Sequence, residues 1–378
     1  MNKFLLSANI VITVLLLSAC SGRSKTSSSL NGGDTLEIKY ARNITIISFK
    51  DYKVAALRNP WDTTKVLHTY ILVDKNKPMP KELPEGSIVR TPVSKAVVYS
   101  SVHSSLFNDL GAFSSIAGVC DLKYIKLSKI QEACKRGAII DVGDGMSPDI
   151  EKIIDLHPDA LLLSPFENSG GYGRVDKLGV PIIECADYME TSALGRAEWM
   201  KFYGLLTGKE AEADSIFTEV ESRYNSLAKQ ALSCKDKPTV ITELKNSSTW
   251  YIPGGNSTSA KLFHDAGAKY IFANDNHSGS VPMSFESVFE KGENADFWLI
   301  KYNQVKEKNY RELKEEYSPY ANFAAFKNKK IYGCNTNSIP YYEESPFHPE
   351  QLLADLIKIF HPELTKGYEL KYFSKLAD

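Results

Sequence analysis

The sequence predicts an α/β protein of two lobes, each a mostly parallel sheet with flanking helices, joined by one long helix and preceded by a small antiparallel β addition. Two observations carry this reading. The first is the stretch Ala193 to Ser233. Trp199, Phe202, Tyr203, Leu205 and Leu206 give an apolar face at helical spacing up to Thr207-Gly208. After Gly208, a break between helices, Ile216, Phe217, Val220, Tyr224 and Leu227 recur at three- and four-residue steps among acidic residues and Lys229. A helix from about Lys209 to Ser233 is about 36 Å long at 1.5 Å per residue, enough to bridge two domains. The second observation is the alternation of β-rich runs with helical patterns on both sides of it. The chain then divides into a leader (1–19), a tether (20–34), a β-rich addition (35–94), a first lobe (95–192), the interlobe helix (193–233) and a second lobe (234–378).

In chain order, Lys3 and the apolar run Phe4 to Leu17 fit a secretory leader too short for a confident membrane span. It ends in Leu17-Ser18-Ala19-Cys20, which resembles the bacterial lipobox and implies lipidation of Cys20. Ser21 to Asp34 is rich in Ser, Gly, Lys and Asn and reads as a flexible tether. From Leu36 to about Val93 the pattern is β, with strands at Asn43–Phe49, Tyr52–Leu57 and Val66–Val73. Pro78, Pro80 and Pro84 then forbid regular structure. In the first lobe, Ala96–Tyr99 is a buried strand, and Ser100, Ser101, His103, Ser104 and Ser105 follow it into a helix over Leu106–Gly111. Further strands are expected at Ser115–Val119, Ala138–Ile140, Asp159–Ser164 and Val180–Glu184. Asp149–Leu156 reads as a helix, with Ser147 as N-cap and Pro148 at the first position. The second lobe repeats the alternation and closes with an amphipathic helix, Pro349–Phe360.

Net charge is −1, and no basic block is longer than a pair, which argues against a nucleic-acid partner. After Cys20, five cysteines remain: Cys120, Cys134, Cys185, Cys234 and Cys334. Cys120 and Cys134 could bridge a loop, or all five are unpaired thiols or paired elsewhere. No C-x-x-C pair exists, which speaks against a zinc–thiolate site, and no residue is assigned as a metal ligand. Phosphate-binding, nucleophile-elbow, zinc-protease and dinucleotide motifs are absent. No catalytic residue is assigned. Asp141-Val-Gly-Asp-Gly145 fails as a calcium loop because its acids are out of register.

Ligands bind outside the carboxyl ends of strands in open α/β sheets. By that rule the candidate cleft residues are Tyr99, Ser101, His103, Phe166, Asn168, Tyr172, Trp250, Asn276, His277, Tyr341 and Tyr342. Aromatic rings there stack on flat ligands, and polar groups bind a chelate's oxygens. The rim is not notably basic, with Arg174 the one arginine obviously close.

Several segments together resemble bacterial ABC-importer substrate-binding proteins of the siderophore, haem and cobalamin type. They are Lys95–Ser100, Leu106–Ala112, Ile116–Val119, Val142-Gly143, Pro148–Ala160, Leu178–Pro181, Gly204–Gly208, Pro253–Gly255, Asp265–Gly267 and Phe347–Pro349, with His361-Pro362 last. The resemblance implies a non-enzymatic binding protein, two lobes on a rigid helix, and a ligand between them. It implies no cofactor of its own, an iron complex, haem or cobalamin as cargo, and a permease and ATPase as partners. By motif it implies that Glu151, in Asp149–Lys152, and Glu286, in Val281–Ser287, meet permease arginines. With the lipobox it implies a monomer anchored to a membrane through Cys20, facing the periplasm or the cell exterior. The rival class is a two-lobed extracellular enzyme, which needs a nucleophile–base pair in the cleft.

Overall fold

The computed structural model describes residues 32–167 and 171–378. The leader, Cys20, nearly all of the tether and Asn168 lie outside the described residues. Among the described residues no helix is long and apolar enough to cross a membrane.

The N-terminal addition is a five-stranded sheet in the order Asp34–Thr35, Ile44–Ser48, Lys53–Arg58, Val66–Asp74, Ser87–Thr91. Its neighbours are antiparallel except the last pair, which is parallel. The all-antiparallel expectation therefore holds for three pairs and fails at the fourth. The proline-rich segment crosses over, so Ser87–Thr91 returns in the direction of Val66–Asp74. Two buried carboxylates fix the addition to the rest of the chain. Glu198 accepts the backbone N–H groups of Lys39, Tyr40 and Ala41. Glu190 accepts those of Arg42 and Asn43 and the indole N–H of Trp199.

The first lobe's sheet runs Ile182–Glu184, Ala160–Leu163, Ala96–Val98, Ile116–Val119, Ile140–Asp141, all parallel. Its strands are continuously apolar because helices or loops cover both faces. The chain winds outward from Ala96–Val98 in one direction, then restarts beside it with Ala160–Leu163. The switch point lies between those two strands. The second lobe's sheet runs Lys269–Tyr270, Thr239–Thr242, Phe297–Tyr302, Ile331–Asn335, Ser374–Lys375, parallel up to the antiparallel last strand. Its switch point lies between Thr239–Thr242 and Phe297–Tyr302. A separate antiparallel sheet, Lys245–Asn246, Thr249–Pro253 and Ser280–Met283, flanks it.

Between the lobes run helices Ala193–Glu198, Met200–Thr207 and Glu210–Leu232. The break falls at Gly208, as expected. Its φ is +68°, and its N–H closes the preceding helix on Gly204 O. Phe217, Val220, Tyr224, Ala228 and Ala231 form the buried stripe of the long helix, which packs on Pro349–Phe360. Cys120, Cys134, Cys185, Cys234 and Cys334 are free thiols, so no bridge joins Cys120 to Cys134.

Two local expectations are corrected. The helix after Ala96–Val98 begins at Ser101, because the Ser100 hydroxyl caps it by accepting the Val102 N–H. Asp149, rather than Ser147, caps Ile150–Leu156 by accepting the Lys152 N–H. Ser147 and Pro148 instead pair with Gly143 and Asp144 as a two-residue hairpin.

Candidate functional site

The carboxyl ends of both sheets face each other. Between them lies a cavity of about 470 Å³. The first lobe contributes Ser101, Lys123, Tyr124 and Lys126. The second contributes Asn303, Thr336, Asn337, Ile339, Pro340, Tyr342 and Glu343. Asn303 directly follows the strand Phe297–Tyr302, and Thr336 directly follows Ile331–Asn335. Tyr124 and Tyr342 are 62% and 54% exposed, so each lobe holds an aromatic ring open to a ligand. The floor is tied across the lobes. The Lys126 N–H donates to Glu343 (2.6 Å), and His348 Nε2 lies 3.2 Å from Asp109 Oδ2. Burial raises the pKa of Glu343.

A second cavity of about 500 Å³ lies at the first lobe's switch point. Tyr99 and Ser100 line it from the end of Ala96–Val98, and Leu163, Ser164 and Phe166 from the end of Ala160–Leu163. Asp121, Met146, Tyr172 and Arg174 complete much of its wall. Phe166 and Met146 are exposed apolar lips. The Tyr99 hydroxyl is buried with no hydrogen-bond partner among the described residues. A buried donor left unpaired is costly. Tyr172 donates to Glu184 (2.8 Å), and burial together with that carboxylate raises its pKa.

At the second lobe's switch point Glu243 pairs with Lys301. Burial opposes the charge on Lys301, but Glu243 outweighs it and the pKa is raised. Tyr341 lies beside this pair, its ring centroid 5.8 Å from the Lys301 ammonium. It is half-buried and packs on Tyr342 and Tyr372.

Of the residues expected in the cleft, Ser101 and Tyr342 line the interlobe cavity, and Tyr99, Phe166 and Tyr172 the first-lobe cavity. His103 does not face either. Because the helix starts early, its third residue turns inward, and the side chain is 2% exposed. There it meets Asp187 (2.8 Å) and Tyr203 (3.0 Å), and Arg196 closes on Asp187 at 3.0 Å. Burial works against its charge, yet Cys185 and Asp187 raise the His103 pKa to about 10. Asp187, despite burial, is held down to about 2 by His103 and Arg196. Trp250 is also removed from the cleft. It is fully buried, its indole N–H donates to Thr242 O, and it stacks on Trp298 at 5.6 Å. Asn276 and His277 are exposed on a loop beside Gly254–Asn256 and line neither cavity.

Lys123, Tyr124 and Lys126 were not anticipated, and the two lysines with Arg174 make the first-lobe rim more basic than its arginine count suggests. The signal was available: they follow Ile116–Val119, a strand whose carboxyl end falls under the same rule as Tyr99. Glu151 and Glu286 are exposed, each in the first turn of its helix, Ile150–Leu156 and Phe285–Gly292.

A model of the family described as periplasmic binding protein matches residues 96–337. An uncharacterised lipoprotein of Methanocaldococcus jannaschii is 27% identical over 363 residues, covering 89% of this chain and 85% of the relative. A periplasmic heme binding protein from Pseudomonas aeruginosa superposes with a TM-score of 0.58 at 17% identity, over 76% of this chain and 99% of that one. The molybdate periplasmic binding protein MolA of Haemophilus influenzae gives 0.57 at 17% identity, over 75% and 90%. At such identities the two structures show a shared fold alone.

Proposed function

Because the chain belongs to the periplasmic binding protein family, we propose that it captures an iron complex of siderophore type between its lobes and hands it to the permease and ATPase of an ABC importer. The observation that supports this most is the pair of facing strand rims with a cavity between them. A recruited ligand touches both lobes and reports its presence by holding them together. Lys123, Lys126 and Arg174 favour an anionic chelate, and Ser101, Asn303, Thr336 and Asn337 offer groups for its oxygens. A flat macrocycle, haem or cobalamin, is the second reading, and the open rings of Tyr124 and Tyr342 favour it.

Catalysis is the less favoured reading. Among the described residues, neither cavity is lined by a histidine or a cysteine, and the buried His103 pair has no access to either. Glu151 and Glu286 are assigned to permease docking, since an exposed carboxylate in the first turn of an outer helix is free to accept a bidentate arginine. A lipid on Cys20 places the lobes at a membrane, outside the cytoplasm, in keeping with the relative's description as a lipoprotein. Native mass spectrometry of protein purified from its own host tests the reading. A co-purified iron chelate is the expected result, and turnover of a bound small molecule would overturn it.

A further inference from the structure

Cys234, His361 and Glu363 converge at the far end of the second lobe from the cleft. Cys234 follows the long helix Glu210–Leu232, and His361 and Glu363 follow Pro349–Phe360. Both helix ends lie by the amino ends of Thr239–Thr242 and Lys269–Tyr270, whereas the cavities open at the carboxyl ends. The Cys234 sulfur, one His361 ring nitrogen and a Glu363 oxygen all lie within 4.8 Å of one another. We propose that these three residues bind a late first-row divalent cation, with zinc as the physiological candidate.

The chemistry of the donors fits. Zinc takes thiolate, imidazole and carboxylate at about 2.0–2.3 Å, in a tetrahedron whose fourth position water can fill. Thiolate and carboxylate together neutralise the ion. His361 Nδ1 stands 3.8 Å from Glu363 Oε1, within a few tenths of an ångström of the spacing of about 3.4 Å that a tetrahedral ion imposes. The imidazole is also oriented. His361 is buried, and its Nε2 donates to Gly267 O (3.2 Å); in the neutral tautomer that this bond selects, Nδ1 is the free nitrogen, and it faces Glu363. Gly267 permits that approach: its φ is +75°, and a Cβ there would stand 2.8 Å from His361 Nε2. A backbone carbonyl fixing the second nitrogen is the support a metal-ligating histidine needs. The ion would clamp the carboxyl end of the interlobe helix to the chain leaving the last helix.

Sequence order conceals this site. Cys234 stands 127 positions before His361, and no paired-cysteine motif marks it, so the expectation of no metal ligand rested on local spacing alone.

The test uses the full-length chain, reduced and metal-free, titrated with Co²⁺ and then with Zn²⁺ against a chromophoric chelator. One equivalent of Co²⁺ should bind with a thiolate charge-transfer band in the near ultraviolet and be displaced by Zn²⁺. Cys234→Ser should abolish the band, and Glu363→Gln should weaken Zn²⁺ binding at least tenfold. Neither side chain is buried, so both variants should keep the far-ultraviolet dichroism of the parent. Zn²⁺ should raise the melting midpoint of the parent and not that of Cys234→Ser. Absence of binding at micromolar metal, or an unchanged band in Cys234→Ser, would overturn the proposal.

Discussion

His103 shows how one residue's environment decides its work. A histidine beside a cleft can hold a ligand, but here it is sealed against Asp187, Tyr203 and the ring of Phe347. The pair makes stability depend on pH in a defined direction. The folded pKa of His103 is raised, so its contribution is complete below the unfolded value of about 6.5 and is lost as pH rises toward about 10. That of Asp187 is lowered, so its contribution is complete above about 4 and is lost as pH falls toward about 2. In urea unfolding, the deficit of His103→Gln relative to the parent should therefore shrink between pH 6.5 and 10. A constant deficit would show that the pair does not titrate there. Tyr99 gives a second expectation at this scale. Tyr99→Phe removes a buried hydroxyl with no partner among the described residues, so the ligand-free protein should lose no stability; if a ligand in the cavity that Tyr99 lines reaches this hydroxyl, affinity falls roughly tenfold, the worth of one hydrogen bond of about 1.4 kcal/mol. Unchanged affinity by calorimetry would remove Tyr99 from the binding site.

At the scale of elements, the segment 39–43 is held by acceptors rather than by a ladder. Three of its N–H groups end on the single carboxylate of Glu198, which is fully buried. Glu198→Ala leaves those donors to water or to nothing. Each unpaired buried donor costs about 1–3 kcal/mol, so a loss of at least about 2 kcal/mol is expected in urea unfolding. A loss below about 0.5 kcal/mol would mean that the segment re-pairs elsewhere. The long helix has no Gly or Pro between Glu210 and Leu232 to serve as a hinge. Its packing on Pro349–Phe360 stiffens it further.

That stiffness has a consequence for the whole molecule. The lobes should close on a ligand by a small rotation, with Lys126–Glu343 and His348–Asp109 already bridging the floor. Scattering profiles with and without ligand should nearly coincide, and a large compaction would contradict a rigid spine. The docking role proposed for Glu151 and Glu286 is also a property of the whole, because it would draw on one carboxylate from each lobe. Glu151→Ala with Glu286→Ala should leave ligand affinity unchanged and impair uptake more than either change alone, as measured by calorimetry and by uptake in cells carrying the matching permease. Normal uptake by the double variant would reject the docking role. Replacing Cys20 with Ser should release the protein from membrane fractions.

What the sequence determined by itself is what depends on neighbours in the chain. The long helix was legible because its apolar residues recur at helical steps, and its start because Gly208 takes a left-handed backbone that other residues resist. The last helix, Pro349–Phe360, was legible from its apolar stripe, and the parallel strands from short apolar runs between helices. Position after a strand was enough to place Tyr99 and Ser101 among the residues that line the two cavities. Only the tertiary structure could decide what depends on contacts distant in sequence. Trp250 and His103 were drawn inward by partners such as Trp298 and Asp187, whose nearness no local pattern records. Lys126 meets Glu343, and Cys234 meets His361, only because two helices and two sheets have already packed. Periodicity states which face of an element is apolar; which polar groups converge is set by how those faces are buried against one another.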